Sequence, residues 1–161
     1  MQKPTRKINR LQQYDYSKPN AYFITICTEK RKNLFWDNHD FSITDLNQVN
    51  LSPCGKLVQE SINNIPVFYP QTGILASIIM PNHIHLVLQI QSDELGNAIN
   101  SVPISRIIQQ MKGYVSKKYG SSIWQKGFHD HIIRGKEELQ TIMEYVIYNP
   151  LKWKDDKYFE G

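Results

Sequence analysis

The sequence predicts an α+β fold built on one antiparallel sheet. Three observations point to it. Four short segments alternate in the manner of strands, three others carry apolar residues at helical spacing, and Met80-Pro81-Asn82 joins two of the strand segments so tightly that they must form a hairpin.

Along the chain, AYFITICT opens the sheet with a strand over Tyr22 to Thr28, because its residues are aromatic, β-branched and alternating. Arg31 to Asn50 is polar and irregular and reads as a loop or insertion. Pro53 and Gly55 then introduce a helix from about Lys56 to Asn63, with Leu57, Val58 and Ile62 on one side. Pro66 and Pro70 signal a turn before the hairpin strands Gly73 to Met80 and His83 to Gln91. After a polar stretch containing Gly96, Ile107, Ile108, Met111 and Val115 mark a helix over Ile104 to Lys118, started by Pro103 and ended by Gly120. FHDHIIR, Phe128 to Arg134, alternates as a fourth strand. Glu137 to Asn149 carries Leu139, Ile142, Met143, Val146 and Ile147 on a stripe that Pro150 stops. The resulting order, βαββαβα, suits a ferredoxin-like antiparallel sheet packed with helices.

The 161 residues fit a single domain, with a basic arm over residues 1–20 and a polar tail over 151–161. With 40% hydrophobic and 21% charged residues, the chain can bury an ordinary core and is not of the disordered class. No apolar run approaches the roughly 20 residues of a membrane helix. The start, MQKPTRKINR, leads into no apolar stretch with a cleavage site, so the expected location is the cytoplasm. Cys27 and Cys54, in unrelated contexts and without metal-type spacing, read as reduced structural thiols.

A net charge of +4 is modest, and its distribution says more. Lys3, Arg6, Lys7 and Arg10 cluster at the N-terminus, Lys30 to Lys32 follow the first strand, and Arg106, Lys112, Lys117 and Lys118 lie along the second helix. Such groups attract phosphate backbones, although a solvated face accounts for any one of them. Tyr114 and Tyr119 on that helix suit stacking on bases.

Strand alternation puts His83 and His85 on one face and Ile84 and Leu86 on the other. With a third nitrogen or oxygen donor, two neutral imidazoles can bind a divalent metal, whereas alone they are more often polar residues of a solvated face. His129 and His131 share a face by the same rule and form a rival pair, better suited to pairing with acids or positioning substrate; His39 reads as exposed. On the last helix Tyr145 and Asn149 lie four residues apart, one turn from each other. A phenol with pKa near 10 is about one part in a thousand ionised at neutral pH, a handicap of about 4 kcal/mol that a metal or phosphate must offset. Its aryl phosphate ester nevertheless leaves well, which suits reversible phosphoryl transfer. Tyr148, three residues on, remains a second candidate.

MPNHIHLVLQ, IWQKGFHDHIIRGKEEL and MEYVIYNPLKW, in that order behind AYFITICT, resemble the REP-associated tyrosine transposases of the single-tyrosine HUH transposase superfamily, over about Tyr22 to Trp153. The resemblance implies a ferredoxin-like fold with His83 and His85 as the metal pair, Tyr145 as nucleophile and Asn149 as a third, amide-oxygen ligand. It implies magnesium or manganese, cleavage of single-stranded DNA beside a hairpin, and a 5′-phosphotyrosine with a free 3′-hydroxyl that can rejoin another end. His131 or Arg134 is then placed to contact the phosphate, and Trp124 reads as core. Only eleven residues follow Pro150, which leaves the N-terminal arm as the expected reader of the hairpin. A replication initiator or relaxase shares the histidines and tyrosine, and a hairpin-binding regulator without cutting activity is the rival of another class. Monomer and homodimer are both compatible with the sequence.

Overall fold

In the computed structural model, residues 20–37, 43–91, 95 and 102–160 are described. The basic arm through residue 19, His39 and Gly96 lie outside them.

Strands β1 (Ala21–Cys27), β2 (Thr72–Ile79), β3 (His83–Ile90) and β4 (His129–Ile133) form one sheet in the order β2-β3-β1-β4, with every neighbouring pair antiparallel. Helices α1 (Pro53–Phe68), α2 (Ile104–Tyr119) and α3 (Lys136–Tyr148) complete the βαββαβα order. The predicted α+β, ferredoxin-like arrangement is the one observed.

Alternation along the strands divides the core. Tyr22, Ile24, Ile26, Ile84, Leu86 and Leu88 face α1 and α2, where they meet Val58, Ile62, Ile65, Ile107, Ile108 and Met111. Burying each such aliphatic side chain is worth about 1.5–3 kcal/mol, so this face dominates stability. The opposite face carries a smaller cluster of Val87, Ile133 and Val146, flanked by Phe23, Leu139, Ile142 and Met143, beneath α3. Both histidines of β3 lie on that second face, beyond the end of its apolar patch.

Three expectations need correction. The first helix does not end near Asn63: it runs through Pro66 to Phe68, and Tyr69 still donates to the Ile65 carbonyl at 2.8 Å. Burial of Ile62 and Ile65 outweighs the about 3 kcal/mol that an internal proline costs. Its start is set by Ser52, whose hydroxyl accepts from the Gly55 amide at 3.0 Å.

The segment after β1 is more than a polar loop. Phe35 and Trp36 are buried, the Trp36 indole donates to the Ile79 carbonyl at 2.7 Å, and the Ser52 amide donates to the Phe35 carbonyl at 2.8 Å. Gly55 makes this approach possible, since a Cβ there would collide with the Phe35 carbonyl oxygen.

Nor is the C-terminal segment a free polar tail. Beyond α3 the chain continues as 3-10 turns over Asn149–Asp155 and buries Trp153 and Tyr158 in the main core. The Asn82 amide donates to the Tyr158 carbonyl at 2.6 Å and Asn33 donates to that of Glu160 at 2.7 Å, so side chains from the β2–β3 turn and from the segment after β1 tie the C-terminal segment down. Its charged residues mask two aromatics whose burial decides the path.

Candidate active site

The site forms where α3 and the C-terminal turns meet the edge of the second sheet face. Thr25 pairs with His85 across β1 and β3, and its hydroxyl is 2.8 Å from His85 Nδ1. His83 Nδ1 is held at 2.8 Å by the Asn82 side-chain oxygen. These bonds orient the two rings, whose centroids are 4.7 Å apart, and leave both Nε2 atoms buried without a hydrogen-bond partner. The histidines are 0% and 2% exposed, so the solvated face that an isolated His-x-His suggests is not what the fold builds.

Tyr145 crosses over this pair from α3. Its ring lies 5.5 Å from that of His85, yet the residue is 44% exposed and open to a large substrate. Phe23 sits beneath, stacked on His85 at 5.2 Å and edge-on to Tyr145 at 6.2 Å. Asn149 is buried one turn beyond Tyr145, and its Oδ1 also lacks a partner.

Electrostatics follow from burial. Desolvation, with His85, Lys157 and Arg31 nearby, pushes His83 down to about 2, and burial with Lys157 pushes His85 down to about 3. Both imidazoles are therefore neutral at physiological pH, the form that donates to a metal. Burial and the Asp156 carboxylate push the Tyr145 phenol up, against a hydrogen bond from Asn149 that favours the ionised form. Among the described residues no group of three or more His, Cys, Asp or Glu stands ready to hold a metal ion. The Asn149 amide oxygen and Asp156 Oδ2 are likewise buried without a hydrogen-bond partner.

Residues 16–149 match the family model described as transposase IS200 like. The chain belongs to the IS200-like transposase family. An uncharacterized protein of Haemophilus influenzae is 32% identical to this transposase over 96% of the chain and 93% of its own length. A second protein of that organism, provisionally named a REP-associated tyrosine transposase, is 25% identical over 86% of the chain and 74% of its own length. A solved REP-associated tyrosine transposase bound to a REP hairpin shares the fold, with a TM-score of 0.62 and 21% identity over 89% of this chain and 73% of that one.

Within this transposase, His83, His85, Tyr145 and Asn149 come together; the other sequence candidates do not join them. Tyr148 is 51% exposed and makes no ring contact with the histidines. His131 lies on the same sheet face but is bonded to Glu138, whose acidity this hydrogen bond increases, and Arg134 is exposed at the end of β4. Arg106, Lys117 and Lys118 are exposed on α2, across the sheet from the histidines. Lys112 turns inward and donates to the carbonyls of Gln125 and Gly127 at 2.9 and 2.8 Å. Trp124 is buried against Phe35, as expected. Both cysteines are free and buried.

Sequence reasoning missed Phe23, Thr25, Asn82 and Asp156. Strand parity marks Phe23 and Thr25, since both fall on the face of His83 and His85 once β1 is paired with β3. No local signal marks Asp156, which reaches the site only because the C-terminal turns fold back. No helix among the described residues is long and apolar enough to cross a membrane.

Proposed function

We propose that this transposase cuts and rejoins single-stranded DNA beside a hairpin, with Tyr145 as nucleophile and magnesium or manganese held by His83, His85 and Asn149. The observation that carries the reading is the set of three buried, unsatisfied donor atoms, His83 Nε2, His85 Nε2 and Asn149 Oδ1, beside an exposed phenol. Family membership supports the DNA chemistry, and the hairpin in the REP-associated relative supports the substrate.

When bound, the metal supplies Lewis acidity toward a nonbridging phosphate oxygen. The chain's own residues do the rest. Thr25 and Asn82 hold the imidazoles in one orientation, and Phe23 supports the Tyr145 ring beside them. Asn149 stabilises the phenolate by hydrogen bonding, which works against the burial that raises its pKa. Tyr145 Oη loses its proton to solvent, forms a bond to phosphorus and displaces the 3′-oxygen, leaving a 5′-phosphotyrosine. Attack by another 3′-hydroxyl reverses the step and joins the strands. In this reading His131 and Arg134 contact the flanking phosphate backbone, and the exposed Arg106, Lys117 and Lys118 of α2 contact a more distant part of the DNA. Because Tyr145 stands beside His85 of the same chain, a monomer suffices for one cut.

Labelled hairpin DNA incubated with the protein and magnesium tests this on a denaturing gel. A covalent adduct is expected, abolished by Tyr145→Phe and retained by Tyr148→Phe. The reverse pattern moves the nucleophile to Tyr148. Tight hairpin binding with no adduct leaves a regulator that does not cut, and cutting that ignores the hairpin favours an initiator or relaxase.

A further inference from the structure

Among the described residues Asp156 is the one carboxylate paired with His83, and neither its placement nor its burial is explained by the roles above. Its side chain is 2% exposed, and Oδ2 has no hydrogen-bond partner. That atom lies 3.8 Å from His83 Nε2, itself unpartnered, which is too long for a hydrogen bond. The other oxygen, Oδ1, accepts from the Tyr158 amide at 2.8 Å, so the carboxylate is oriented by its own turn with Oδ2 left over. The nearby cations are engaged elsewhere: Arg31 lies 3.8 Å from Glu160 and 5.4 Å above the Tyr158 ring, and Lys157 lies 5.1 Å from that ring.

We propose that Asp156 is a further protein group for the metal position, supplying the anionic oxygen that His83, His85 and Asn149 lack. This rests on the metal-dependent reading above. Two imidazoles and one amide are all neutral, whereas magnesium and manganese are hard cations that favour carboxylate oxygen. Leaving a carboxylate buried and unpaired is strongly unfavourable unless a cation compensates it. Adjacent ligands of an octahedral ion at about 2.1 Å are roughly 3 Å apart and opposite ones roughly 4.2 Å, so 3.8 Å falls inside the span of one coordination sphere. Because among the described residues no three-residue group of histidines and acids stands ready as built, Asp156 serves the ion through one of the waters that magnesium retains.

Manganese binding to the full chain, followed by calorimetry without DNA, tests the proposal alongside thermal melting in EDTA. Asp156→Asn keeps the Oδ1 acceptor and removes the charge. At least a tenfold loss of manganese affinity is expected, together with an unchanged or raised melting temperature in EDTA, since an unpaired buried charge has gone. Unchanged affinity in Asp156→Asn, with loss in His83→Ala, overturns the role of Asp156 and leaves the metal reading intact. No manganese binding by the unsubstituted protein overturns both. Should Asp156→Asn fail to fold, carboxyl carbon NMR of the unsubstituted protein decides. An Asp156 signal that moves with magnesium in step with the His83 and His85 rings supports the role, and one that stays still while they move overturns it.

Discussion

The Phe23 ring stacks on the imidazole of His85, with centroids 5.2 Å apart and planes inclined by 26°. The same ring meets Tyr145 edge-on, so one aromatic side chain on β1 sets the spacing between the proposed metal ligand and the proposed nucleophile. Phe23→Leu is expected to lower adduct formation by tenfold or more at saturating DNA, with a smaller change in DNA affinity. A displacement of about 1 Å at a reacting group costs on that order. Single-turnover gels against a hairpin-binding titration measure the two effects separately.

Thr25→Val tests how His85 is held. The substitution is nearly isosteric and removes the hydroxyl that is 2.8 Å from Nδ1. Loss of such a supporting bond to a ligating histidine costs about 10–100-fold in metal affinity. Manganese titration should show that loss, while denaturant unfolding in EDTA changes by about 1 kcal/mol.

Metal-free protein should lose stability in mild acid. His83 and His85 are pushed down to about 2 and about 3 by burial, whereas unfolded histidines titrate near 6.5. Above about pH 6.5 both states carry neutral rings. As the pH falls below that value the unfolded chain takes up protons that the folded chain refuses, so stability declines, by up to about 1.4 kcal/mol per pH unit for each histidine. Melting in EDTA between pH 7 and pH 4 should show a steep fall, and His83→Gln with His85→Gln should flatten it.

Gly55→Ala should destabilise the fold by about 1–3 kcal/mol, because the new Cβ meets a backbone oxygen that cannot rotate away. Urea unfolding measures it. Gly73→Ala, where nothing lies near the added carbon, serves as the control and should change stability by less.

The histidine pair and the tyrosine helix were legible because each depends on a short-range period. Alternation on β3 sends His83 and His85 to one side whatever else the chain does, and four residues on a helix bring Asn149 under Tyr145. The order of strands and helices was legible for the same reason. Burial was not: Phe35, Trp36, Trp153 and Tyr158 sit among polar neighbours, and nothing local says that those neighbours merely face outward. Lys112 shows the converse, a cation on a basic helix that turns inward to two carbonyls.

By itself, then, the amino-acid order determined the βαββαβα succession, the shared face of the two histidines and the turn linking Tyr145 to Asn149, since all three are set by backbone periodicity over a few residues. Only the tertiary structure decided that Phe23 and Thr25 support His85, that Tyr145 faces the histidines from the same chain, and that Asp156 returns to within 3.8 Å of His83. Those contacts join segments far apart along the chain, and their formation depends on which surfaces the whole fold removes from water.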